Sequence, residues 1–137
     1  QQKKIIVLAN GLAISDTNYH YYDGSTWTGS AISIPNWNDY NRRMLHVHNT
    51  HDQPVKLSLL TKTRNNGSLF DVAYLGVGKT EQTITIPANL QFSPILITKN
   101  DMPLLEGIQA YDVDFRLKCD TAPTTGSLLI TVIMWAE

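Results

Sequence analysis

The sequence predicts an all-β fold, an antiparallel β-sandwich of jelly-roll or immunoglobulin-like type built from about nine short strands. Three observations carry this. Apolar and polar residues alternate with period two along much of the chain, and no segment sustains helical periodicity. Turn-forming residues recur at roughly eight- to twelve-residue spacing, and the long irregular stretches between them favour a sandwich over a small barrel. At 137 residues the chain fits a single domain, 1–137, with enough burial for a core that needs no staples.

In chain order, Lys3 to Ala9 reads as a short strand, and residues 1–9 as an unpaired N-terminal arm that a neighbouring copy could exchange. Asp23-Gly24 signals a two-residue hairpin between short aromatic arms. Ala31 to Ile34 forms another short strand, and a single helical turn is expected either around Pro35 to Tyr40 or within Asn100 to Glu106. Met44 to Asn49 is a strand closed by Thr50-His51-Asp52-Gln53-Pro54. Val55, Leu57 and Leu59 alternate with polar residues in a strand reaching about Arg64, Asn65-Asn66-Gly67 turns, and Leu69 to Leu75 returns. Gln82 to Ile86 is a strand ended by Pro87, and Ile95 to Thr98 another.

The clearest strand is Tyr111 to Asp120. Tyr111, Val113, Phe115, Leu117 and Cys119 point to one side, while Asp112, Asp114, Arg116, Lys118 and Asp120 point to the other. That is a core face and a wet face. After the turn 121–126, Ser127 to Ala136 reads as its hairpin partner. This last strand is apolar on both sides, with Leu129, Ile133 and Trp135 opposite Leu128, Ile130, Val132 and Met134. Such a strand is either covered on both sides or meets another subunit with its outer face.

Composition narrows the function classes. Charged residues are only 17% of the chain and the net charge is −1, with no basic stripe, so no nucleic-acid partner is expected. No apolar run is long enough to cross a bilayer as a helix. The chain opens on Gln rather than Met, as expected if an upstream residue or region has been removed. Cys119 is the only cysteine and falls on an apolar face, where it acts as a small hydrophobe.

No catalytic set emerges. There is no Gly-x-Ser-x-Gly elbow, and Gly76-Val77-Gly78-Lys79-Thr80 lacks the glycine spacing of a phosphate loop and reads as a turn. Asp112 and Asp114 share their face with Arg116 and Lys118, which predicts solvated ion pairs; neither acid-base work nor a calcium site is expected. His46 and His48 share a strand face about 7 Å apart with His51 just beyond, a layout that suits zinc or nickel. Without a CxxC pair or HExxH motif, and with only Asp52 as a nearby oxygen, no metal site and no cofactor are expected. The aromatic residues Tyr19, Tyr21, Tyr22, Trp27, Trp37 and Tyr40 offer either a carbohydrate-stacking platform or a lid on one end of the core.

Two segments carry a family resemblance. Tyr21-Tyr22-Asp23-Gly24-Ser25-Thr26-Trp27 resembles the YY-D/N-G-x-x-W hairpins of tailed-phage virion proteins. Leu45 to Val55, with Asn49-Thr50 and Pro54-Val55, is similar to their strand–Asn-Thr–x-x-x–Pro-Val–strand pattern. The resemblance implies a small sandwich subunit of a phage particle, such as a head decoration, neck or tail-tip protein, and carries over no functional residues. The expected function is therefore a non-enzymatic virion protein that forms a homo-oligomer and docks on a larger protein assembly through Ile5, Val7, Leu129, Ile133 and Trp135. The alternative is an extracellular or cell-surface adhesion module that binds carbohydrate or a receptor with the aromatic hairpin.

Overall fold

In the computed structural model, which describes residues 2–24, 26–62, 70–91, 93–108 and 111–137, two antiparallel sheets pack face to face around one core. The strands are β1 (Lys3–Leu12), β2 (His20–Tyr22), β3 (Trp27–Thr28), β4 (Arg42–Asn49), β5 (Val55–Lys62), β6 (Asp71–Val72), β7 (Tyr74–Leu75), β8 (Thr80–Glu81), β9 (Thr83–Ile86), β10 (Ile95–Ile97), β11 (Asp112–Lys118) and β12 (Leu128–Trp135). Sheet A runs β1-β12-β4-β10; sheet B runs β3-β2-β11-β5-β6, with β9 also on β5. The β7–β8 ribbon turns through Gly76 and Lys79, both at positive φ, so this segment is the turn its residues predict. Each of the two places offered for one helical turn holds one, a 3₁₀ turn at Trp37–Asp39 and α1 (Leu104–Gly107), so the chain has one turn more than expected.

The alternation that predicts the strands also decides their inner faces. Leu128, Ile130, Val132 and Met134 of β12, Leu45 and Val47 of β4, Leu57 and Leu59 of β5, and Val113, Phe115 and Leu117 of β11 are all buried in one core. A bulge between Val7 and Ala9 lets β1 turn both Leu8 and Ala9 inward. Cys119 is buried there too, and burial pushes its thiol up to about 11, as suits an unreactive core residue.

Several expectations are corrected. Residues 3–12 are not an unpaired arm: they pair with β12 from Lys3↔Trp135 to Leu12↔Leu128. Tyr111 lies outside β11 and is 42% exposed, so it leaves the core face assigned to it. Ala31 to Ile34 is not a strand, although Ile32 and Ile34 donate to Tyr22 O and Val113 O. Among the described residues the return from β5 is broken at Ala73: Asp71–Val72 pair with β5, Ala73 N–H still donates to Leu59 O, and Tyr74–Leu75 pair with β8 instead. The Asn65-Asn66-Gly67 turn lies outside the described residues. The connection at Asp23 spans residues 23–26, because Tyr22 pairs with Trp27 and the Asp23 carboxylate accepts from both Thr26 N–H and Oγ1–H.

The largest correction concerns β11 and β12, which form no hairpin; β11 belongs to sheet B and β12 to sheet A. The link between them is tied to the β4–β5 corner. Ser127 O accepts from Thr50 N–H at 2.9 Å, and Ser127 N–H donates to Thr50 Oγ1 at 2.9 Å. Asp52 accepts from Thr124 through both carboxylate oxygens. This delivers β12 beside β4 instead of β11. Gly126 makes the approach possible: its φ is +93°, and a Cβ there would fall on the Thr50 carbonyl. Gly126→Ala is expected to cost about 2 kcal/mol, read as a lowered denaturant midpoint at unchanged slope; an unaltered midpoint would refute this account of the link.

Candidate functional site

The five residues singled out as an interface all sit on the outer face of sheet A. Four cross-strand rows compose it: Lys3–Trp135–Arg42, Ile5–Ile133–Met44, Val7–Thr131–His46–Leu96 and Asn10–Leu129–His48. Ile5, Val7 and Leu96 are 54%, 52% and 54% exposed, and Met44, Leu129, Ile133 and Trp135 are half-buried. The apolar rows are central, with cations at one end and amides and imidazole at the other. Met44 and Leu96 belong to this face although the sequence did not single them out. Only the β12–β4–β10 register places Met44 beside Ile133 and Leu96 beside His46, and register is not written in alternation.

Charge at the face is arranged at its edges. Arg42 at the cationic end reaches Glu106 of α1 at 2.7 Å and Glu137 at 3.2 Å, and these partners raise its already high pKa. β12 is central in its sheet and carries half-exposed Leu129, Ile133 and Trp135 outward. Among the described residues of one copy, no element covers that outer face, which stays half-exposed.

The three histidines do not converge. His46 and His48 do share the outer face of β4, and His48 Nε2 bonds the Gln91 carbonyl at 2.9 Å. His51 is fully buried elsewhere. Its Nε2 accepts the Ile14 N–H at 3.0 Å, so Nδ1 carries the proton and donates to Asn49 Oδ1 at 2.8 Å. Burial lowers its pKa, against the opposing charge of Asp52, so the ring is a neutral structural tie. Among the described residues no group of three metal-ligating side chains comes together.

The aromatic platform does not assemble either. Tyr22 and Trp27 pair across the hairpin and meet edge-on at 5.7 Å inside the core, where Trp27 Nε1–H donates to Leu8 O. Trp37 is also buried, edge-on to Phe115, and donates to Ile108 O. Tyr21 and Tyr40 are half-buried, and exposed Tyr19 lies under the Arg116 guanidinium at 3.9 Å. The rings thus close one end of the core.

Two buried ionisable groups went unrecognised in the sequence. Asp114, assigned to the wet face of its strand, has no exposed surface, and among the described residues neither carboxylate oxygen has a hydrogen-bond partner. Burial pushes its pKa from 3.8 up to about 8, helped by the charge of Asp23 and opposed by the nearby Phe115 N–H. Asp112 is exposed and ion-paired, but with Lys62 of β5 at 3.3 Å instead of its own face's Arg116 or Lys118, while Asp120 pairs with Lys56 at 2.7 Å and Lys118 at 3.6 Å. Arg43 is fully buried on the inner face of β4. It donates to Leu105 O, Trp37 O and Tyr40 O and lies 4.1 Å from the Trp37 ring centre.

Beside these sites, a cleft of about 280 Å³ opens between the sandwich edges β9 and β10, lined by Ile84, Ile86, Ile95, Ile97 and Asp101 among others. Compared with protein-family models, curated proteins and solved structures, the chain matches none.

Proposed function

We propose that the chain is a non-enzymatic structural subunit that assembles with copies of itself, in the manner of an accessory protein of a tailed-phage virion. The observation that carries the reading is the outer face of sheet A, where seven apolar side chains from four strands form one contiguous patch. Monomeric domains seldom leave such a surface open to water. The virion setting rests on the two motif resemblances, in the 21–27 hairpin and the 45–55 strand and turn.

The occupant proposed for this face is a second copy. Four strands about 4.8 Å apart, averaging about seven residues at 3.4 Å with β10 the shortest, present roughly 450 Å² in projection, so two copies cover on the order of 900 Å². That approaches the roughly 1,000 Å² expected of a specific interface. The charges select the symmetry. A two-fold axis across the strands sets the Lys3 and Arg42 end of one copy over the Asn10 and His48 end of the other and keeps like charges apart. An axis along the strands would stack cation on cation. The central rows then meet, Ile5 and Ile133 of one copy facing Val7 and Thr131 of the other.

Ile133→Lys places a charge in the middle of this patch without touching the core. The wild-type mass by light scattering behind a sizing column is expected to be a multiple of 15.4 kDa, halved in the variant. An unchanged oligomer in Ile133→Lys would rule out this face as the contact, and a wild-type monomer would rule out self-assembly.

A further inference from the structure

We infer that copies also join edge to edge, the β1 strand of one copy adding to the free edge of β10 in the next. This rests on reading the chain as an assembly subunit, but it concerns a different surface from the sheet face. Sheet A ends in β1 on one side and β10 on the other, and each edge strand has a partner on one side only. Unpaired N–H and C=O groups on an edge are satisfied most directly by another strand.

The directions fit. β10 is antiparallel to β4, β4 to β12, and β12 to β1. A second copy placed alongside in the same orientation therefore brings its β1 antiparallel to β10 and extends the sheet with its own pattern. The rows fit as well. Val7 and Leu96 occupy one outer row and Ile6 and Ile97 one inner row, so in-row joining sets Val7 against Leu96 and Ile6 against Ile97. The outer contact continues the apolar patch, and the inner one brings Ile6 to the isoleucine-lined cleft between β9 and β10.

Charge completes the match. From Val7 and Ile6 the incoming strand continues to Lys4 and Lys3, and from Leu96 and Ile97 the acceptor continues to the turn at Thr98 to Asp101. Asp101 lines the cleft at that end, its carboxylate accepting a long 3.4 Å bond from Thr98 N–H. Lys4 is on the inner row with Ile6 and thus on the cleft side. The same register sets Lys4 across from Lys99 of this turn, which Glu106 draws aside at 3.9 Å while also holding Arg42 at 2.7 Å. Lysines commonly blunt a sheet edge against promiscuous pairing, so an edge that begins Lys3-Lys4 favours an acceptor with a carboxylate there.

The test is an engineered disulfide between Val7→Cys and Leu96→Cys. Within one copy these positions lie three strand spacings apart, roughly 14 Å, beyond the about 7 Å Cα limit for a disulfide. The bond can form only between copies, and buried Cys119 stays out of the exchange. Mild oxidation is expected to give covalent multimers on non-reducing gels. Adding Lys4→Glu should reduce their yield at least fivefold, and combining Lys4→Glu with Asp101→Lys should restore it. A wild-type oligomer that dissociates on Ile133→Lys but yields no 7–96 disulfide would overturn edge joining alone. A monomer with no cross-link would overturn both readings, and cross-linking indifferent to Lys4→Glu would overturn the assigned register.

Discussion

Asp114→Asn is expected to stabilise the protein, and to do so in a pH-dependent way. The native state holds the Asp114 proton up to about pH 8, whereas the unfolded chain releases it near 3.8. Between those values the unfolded state binds fewer protons, so stability falls as pH rises from about 4 to 8. Nothing in this account is lost on acidification below 4, where the carboxyl is neutral in both states. The asparagine amide is neutral throughout, so the variant escapes the penalty. The gain is on the order of 2–4 kcal/mol at pH 8 and vanishes as pH falls below about 3.5. Urea midpoints of both proteins across this range read it directly, and parallel profiles would show that the buried carboxyl does not titrate as its surroundings dictate.

The opposite sign is expected at Arg43. Its guanidinium ties three separate pieces of chain to β4: the carbonyls of Leu105 at 2.6 Å, Trp37 at 2.5 Å and Tyr40 at 2.8 Å. Burial draws its pKa down to about 10, with the charge of Glu106 opposing, so it remains charged at neutral pH and the carbonyls solvate it. Arg43→Met preserves much of the apolar stem but leaves those carbonyls without this donor. A loss of about 3–5 kcal/mol is expected, with the 3₁₀ turn at Trp37 and the α1 turn loosening first. Increased amide hydrogen exchange at 36–40 and 104–108, beside a lowered melting temperature, would confirm it. A variant as stable as wild type would mean that the carbonyls find other donors at no cost.

Much of the architecture was legible because alternation in this chain is steep. Val113, Phe115, Leu117 and Cys119 face the core as their spacing predicts, and Ile130, Val132 and Met134 do the same on β12. Alternation fixes which way a side chain points and leaves open which strand lies next to it. That is why β11 and β12 read as a hairpin although Thr50, through Ser127, assigns them to different sheets. The apolar face was visible in Leu129, Ile133 and Trp135 because a central strand has only one way to be apolar twice over. Met44 and Leu96 needed the register. The rule that polar residues opposite a core stripe are wet fails at Asp114, whose cross-strand partner Leu60 is itself 1% exposed on the same outer side. Arg43 aligns inward with Leu45 and Val47, and the spacing alone pointed to it. The aromatic segment closes the core because Tyr22 and Trp27 are register partners on an inner face.

The place of β12 in sheet A has a consequence for the order of folding. The strand that joins β1 to β4 is the last strand in the chain, so the first strand and the fourth wait for residues 128–135 before their sheet can close. Sheet B has no such debt, since β2, β3, β5, β9 and β11 all precede it. β1 therefore hangs without a partner until its pairing with β12, far along the sequence, has formed. The interval before that pairing is when β1 is freest to find the edge of another copy, so assembly is expected to depend on how concentrated the chains are while they fold.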